Sequence, residues 1–181
     1  PRGVGPAPTP PKPPDASGGW ALGKPDLVVS MDEAFATPSE GVDIYRNFVL
    51  TVPPAPGGRA RHVRAWEFHP GDPRVVHHAL LSTDSQAWAR RQDAASPDTP
   101  GFGGMEVGDV QSPEGFYLVW APGNRPGDNP HGLTWPLPPN ADLILQLHLQ
   151  PAGRVRNVRS SLGLWFADGP SADRSFALRI G

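Results

Sequence analysis

Six histidines are the side chains best able to do chemistry in this sequence, and two of them adjoin: His77 and His78, inside Val75-Val76-His77-His78-Ala79-Leu80-Leu81. An apolar strand has no packing use for neighbouring imidazoles, because each ring carries nitrogens that need partners once buried. A metal ion is the simplest shared partner, since His is the commonest protein ligand for copper and zinc. A third ligand is expected from Leu143-Ile144-Leu145-Gln146-Leu147-His148-Leu149-Gln150. Strand alternation there puts four Leu on one face and Ile144, Gln146, His148 and Gln150 on the other. His77, His78 and His148 would form a three-nitrogen site with an open position, suited to a redox-active copper or to a zinc holding an exchangeable water. Gln146 and Gln150 are candidates to orient the rings.

Consecutive side chains leave a regular strand on opposite faces, so His77 and His78 reach one ion only if the strand is bulged, twisted or ending there. Such a distortion is expected, and coordination through Nδ1 would shorten the reach. The alternative is one core imidazole bonded to a carbonyl and one surface ring. His62, His69 and His131 lie at strand ends or in Pro/Gly-rich loops and read as solvated. Met31 reads as core and Met105 as buried within its loop, although either thioether is a potential ligand.

The elements that must position these groups follow from composition. The chain has 181 residues, about one domain's worth, with 21 Gly and 25 Pro, which argues for short strands joined by turns. Eight β-prone segments are expected over 26–31, 44–52, 62–69, 75–82, 116–121, 143–150, 162–167 and 174–180. Period-2 alternation is clear in Phe48, Leu50, Val52 and in Phe176, Leu178, Ile180. One short helix is expected over 86–95, with Ser82, Thr83 or Asp84 as caps. The fold class is all-β, an antiparallel jelly-roll-like sandwich of about eight strands and one short helix. Residues 96–111 read as a surface excursion. Seven Pro among the first fourteen residues make 1–19 an extended linker, and 20–181 the folded domain. A linker at that place suggests a domain belonging to a longer chain.

Several function classes are disfavoured. Sixteen Lys and Arg against 18 Asp and Glu give a net charge of −2, and no basic stripe offers a nucleic-acid footprint. The clusters Arg59, Arg61, Arg64 and Arg154, Arg156, Arg159 read as solvated strand ends. No apolar run is long enough for a membrane-spanning helix. The absence of Cys removes disulfides and thiolate chemistry. No Gly-x-Ser-x-Gly elbow, phosphate loop or EF-hand loop occurs, and His-His-Ala-Leu-Leu lacks the His-x-His and Glu of a cupin.

Taken in order, Val76-His77-His78-Ala79-Leu80-Leu81, Val119-Trp120-Ala121-Pro122-Gly123 and Leu145-Gln146-Leu147-His148-Leu149 resemble the N-terminal copper domain of the type II, ascorbate-dependent monooxygenases. That family includes peptidylglycine α-hydroxylating and dopamine β-monooxygenase. The segments from Trp20 to Val28 and from Tyr45 to Val49 look closer to bacterial members, and the resemblance spans residues 20–181. It implies a jelly-roll-like sandwich with one type 2 copper on His77, His78 and His148, reduced by ascorbate, in an extracytoplasmic protein. It also implies a partner domain carrying a second copper on His-x-His and Met. No His-x-His occurs in these 181 residues, so this domain alone is expected to transfer electrons without hydroxylating substrate. The alternatives are a copper-storage or non-catalytic binding module of a larger secreted protein, with exposed Trp for a glycan or peptide, and then a zinc hydrolase.

Overall fold

Leu143, Leu145, Leu147 and Leu149 all turn inward, as their alternation predicts, and form the middle of the core. The computed structural model describes residues 19–105, 108, 110–113 and 115–176. It contains twelve strands: β1 Leu27–Ser30, β2 Phe35–Thr37, β3 Ile44–Leu50, β4 Arg61–His69, β5 Val76–Asp84, β6 Phe102–Gly103, β7 Leu118–Trp120, β8 Gly127–Asp128, β9 Trp135–Leu137, β10 Asp142–Leu149, β11 Arg156–Val158 and β12 Ser161–Ala167. One α-helix among the described residues, α1, spans Trp88–Ala94, and short 3-10 turns span Pro56–Gly58 and Pro130–Gly132. The expected linker, Gly19 apart, lies outside the described residues, as does most of the expected last strand; residues 174–176 form no strand.

Two five-stranded antiparallel sheets pack face to face, making the all-β sandwich that the composition predicts. One runs β1-β12-β4-β8, with β9 also on β4; the other runs β6-β3-β10-β5-β7. Between them, the four Leu of β10 with Phe48, Leu50, Ala79 and Leu81 meet Val29, Val63, Trp135, Leu137, Leu162 and Leu164. Seven expected strands are present, and β2, β6, β8, β9 and β11 are additional, each only two or three residues long. No helix among the described residues is long and apolar enough to cross a membrane.

The outer face of the β10 sheet carries the site. All eight residues of β10 are buried, because both faces are covered. Outside, Ile144 packs under Ala89 of α1 and Phe102, so the helix and the segment around Phe102 close over this face. Arg90 fixes α1 to β10 through a two-pronged bond to Asp142, at 2.5 and 2.7 Å. The N-cap position is Ala87, not Ser82, Thr83 or Asp84, and it makes no side-chain capping bond; Asp84 reaches the helix start from the end of β5, accepting from Gln86 N at 2.8 Å and Ala89 N at 2.7 Å.

The turn that launches β5 is built on Gly71 and Asp72. Gly71 has φ +72°, and a Cβ there would lie 2.6 Å from the Arg159 carbonyl oxygen, so only glycine fits. Asp72 is buried and accepts from Arg74 N at 3.0 Å, Arg74 Nε at 2.8 Å, Arg74 Nη2 at 2.9 Å and Arg156 Nη1 at 3.3 Å. Arg156 is therefore no solvated strand end: its side chain is 12 % exposed and paired. The Arg74 side-chain bond holds the Asp72 carboxyl at about 2, below its usual 3.8, against the opposing effect of burial. A carboxyl depressed on folding stabilises the fold above its unfolded pKa, and that gain is lost as pH falls from about 4 through about 2. At about 1.4 kcal/mol per unit the gain is on the order of 2 kcal/mol, less whatever solvent screens at the exposed Arg74. Urea midpoints measured at about pH 5 and pH 2 are expected to converge in Asp72→Asn relative to the parent. An unchanged pH dependence would remove Asp72 from this role.

Candidate metal centre

The expected distortion of β5 is present, and it lies at the His pair. His78 pairs with His148, but the next residue of β10, Leu149, pairs with Val76, so His77 is an extra residue opposite the same stretch of β10. This bulge lets two consecutive imidazoles lie on the outer face while Val76 and Ala79 on either side stay in the core. His77 and His78 are half-buried, and His148, on the central strand, is buried.

One nitrogen from each ring lies within 4.8 Å of the others, in a group that contains no carboxylate. His77 Nδ1 and His148 Nδ1 are 3.2 Å apart. Two nitrogens each about 2.0–2.1 Å from one ion, at a tetrahedral angle, are separated by roughly 3.3 Å. That pair is therefore spaced as ligands of a single ion, through the nitrogen that the bulge argument favours. The rings of His77 and His148 are perpendicular, at 89°, and His78 is tilted 59° to His77. Burial, followed by the neighbouring charges of His77 and His148, lowers the pKa of His78 and favours the neutral form that a metal ligand requires.

Two residues that the sequence reading passed over complete the surroundings of His148. Asp43, just before β3, has Oδ2 2.7 Å from His148 Nε2. Tyr45 stacks on the His148 ring, 4.5 Å from the imidazole and 9° from parallel. The bond to His148, followed by one from Gln150, lowers the Asp43 carboxyl pKa. Asp43, just before β3, and Tyr45 and Asn47 within it alternate with Ile44, Phe48 and Leu50, with Arg46 the one polar residue in the apolar set, and β3 pairs Tyr45 with His148. That polar alternation, matched to Gln146, His148 and Gln150, is the signal that would have found them.

The two amides divide. Gln150 Nε2 lies 3.3 Å from Asp43 Oδ2, so it bears on the ring through the carboxylate. Gln146 touches none of the imidazoles in its described bonds; Nε2 donates to Asn47 Oδ1 at 2.9 Å and to the Met105 carbonyl at 2.9 Å. With Asn47 Nδ2, which donates to the Gly104 carbonyl at 3.0 Å, it clamps Gly104 and Met105 beside the centre.

Other expectations fare differently. Met31 is core, as read, and its sulfur accepts from Ser160 N. Met105 is 63 % exposed rather than buried, because the loop is held by its backbone and the side chain is left outside. His131 is exposed and separate from the cluster. His69 is not merely solvated: it stacks on Trp20 at 3.8 Å and meets Glu67 Oε1 at 2.9 Å. His62 is half-buried, and its Nδ1 has no partner among the described residues.

A cavity of about 620 Å3 holds none of the three ligand candidates. It opens where β7 and β4 approach, lined by Trp66, Phe68, Phe116, Tyr117 and Trp120 among others. No family model, no curated protein and no solved structure matches this chain, so the chemistry of the centre rests on its own residues.

Proposed function

We propose that the chain is the copper-binding, electron-transferring domain of a bacterial ascorbate-dependent monooxygenase-like protein. The observation that carries this reading is the β5 bulge, which brings His77 and His78 to the outer face beside His148, with His77 Nδ1 and His148 Nδ1 3.2 Å apart. A bulge that turns two polar rings to one side of an apolar strand is costly unless the rings share a partner. Neutral imidazoles without a carboxylate favour copper over a hard cation. A zinc hydrolase has less support, because the nearby carboxylate, Asp43, is bonded to a ligand ring and is not free to act as base.

His77, His78 and His148 would hold one copper ion, which supplies one-electron chemistry with ascorbate as reductant. The chain's part is to hold three rings together and preset, with His148 buried and the other two half-buried. The hydroxylation step would belong to a partner domain with a second copper, as the family resemblance suggests, in an extracytoplasmic setting. A second reading is a binding or copper-storage module, favoured by the aromatic cleft that holds Trp66 and Trp120.

Loading the purified chain with Cu(II) is expected to give one type 2 paramagnetic resonance signal with nitrogen couplings, bleached by ascorbate and restored in air. Absence of stoichiometric copper, with Trp fluorescence quenched by a sugar or peptide, would overturn the first reading in favour of the second.

A further inference from the structure

We propose that Asp43 is a positioning residue for this centre, holding His148 as the tautomer protonated at Nε2 so that Nδ1 presents its lone pair to the ion. The proposal rests on the copper reading above for its consequence, but its structural half stands on the metal-free chain. The hydrogen bond at one imidazole nitrogen decides which nitrogen is left to bind, and a carboxylate acceptor also raises the electron density of the ring. Asp43 Oδ2 lies 2.7 Å from His148 Nε2, while His148 Nδ1 faces His77 Nδ1 at 3.2 Å. With both rings neutral, one assignment satisfies both contacts: His148 donates from Nε2 to the carboxylate, and His77 donates from Nδ1 to His148 Nδ1. For His77 to present Nδ1 to an ion as well, its proton would shift to Nε2, leaving the ring neutral.

Nothing in the packing asks for this carboxylate. Its side chain is 48 % exposed, and its described partners are the His148 ring and the Gln150 amide, both on the site's face. Tyr45, stacked on the same ring 9° from parallel, restricts the rotation of the imidazole. A charge donated through an imidazole favours the higher oxidation state of a bound metal, so Asp43 lowers the reduction potential of the copper as well as aiming its ligand.

The test compares the parent with Asp43→Ala, Asp43→Asn and Asp43→Glu. Nitrogen-15 spectra of the imidazoles in the metal-free protein, near pH 8, report the tautomers directly. The parent is expected to show His148 protonated at Nε2 and His77 at Nδ1; Asp43→Ala is expected to show a tautomer mixture at His148, and Asp43→Glu to restore the parent pattern. Copper titration and voltammetry then read the second half. Losing an outer partner costs about 10–100-fold in metal affinity. Each tenfold loss of Cu(II) relative to Cu(I) binding raises the potential by about 59 mV. Asp43→Asn, which keeps an acceptor oxygen but not the charge, is expected to retain the tautomer and still raise the potential. A parent His148 protonated at Nδ1, or an unaltered tautomer in Asp43→Ala, overturns the proposal. Copper bound equally by all four proteins at one potential overturns its electronic half. A parent with the expected tautomers and no bound copper upholds Asp43 as the positioner of the ring while sinking the copper reading.

Discussion

His148→Ala is expected to lower copper affinity by more than about 100-fold, beyond the 10–100-fold that follows loss of an outer partner. His131→Ala is expected to leave it unchanged. His148 sits on the central strand of its sheet, paired to β3 on one side and to the bulge on the other. It is the ring through which Asp43 and Tyr45 act, and the ring whose Nδ1 faces His77. Its removal takes out one ligand and the orientation of another. The substitution leaves a space against Tyr45 but no stranded buried charge, since Asp43 is half in solvent. The stability loss should be an ordinary one, about 1–2 kcal/mol, and the metal-free variant should still melt cooperatively. A competition titration against a chelator measures the affinities. Equal losses in the His131 and His148 variants would remove His148 from the ligand set.

The parts of this molecule written in local periodicity were legible, and those written in pairing were not. The Leu143 to Leu149 alternation marks an inner and an outer face whatever strands lie beside it, so the side on which His148 lies follows from spacing. The bulge was legible for a similar reason: two imidazoles in an apolar strand conflict with strict alternation, and the conflict needs a local defect. By contrast β8 and β9, Gly127–Asp128 and Trp135–Leu137, are two- and three-residue ladders that exist because β4 offers an edge. Trp135-Pro136-Leu137 even has a proline inside, which local rules count against a strand. Asp43 was hidden for the same reason. Its partner is 105 positions away, and only the β3–β10 register, Tyr45 opposite His148, brings the two together. Met105 failed the other way: burial was inferred for a side chain when the structure spends its buried amides on the loop backbone.

Deleting His77 is expected to preserve the fold and remove the centre. Opposite β10, His78 already pairs with His148 and Val76 with Leu149. Removing the intervening residue leaves those two pairings intact and makes the ladder regular, with Val76 still inward and His78 still outward. The β5 strand sheds a distortion and keeps its core residues Val76, Ala79 and Leu81 in place. Unfolding free energy should therefore stay within about 1 kcal/mol of the parent, at the mild end of what single changes do. Copper affinity should fall by more than about 100-fold, as two rings cannot supply what three did. His77→Ala separates the causes, since it retains the bulge and loses only the ligand: it should bind copper as poorly as the deletion and be no more stable. If the deletion instead unfolds the chain while His77→Ala folds normally, the bulge serves the sandwich rather than the metal, and the adjoining histidines would need another explanation. Stability by urea denaturation and copper by chelator competition, on the same three proteins, decide between a strand bent for its fold and a strand bent for its ligands.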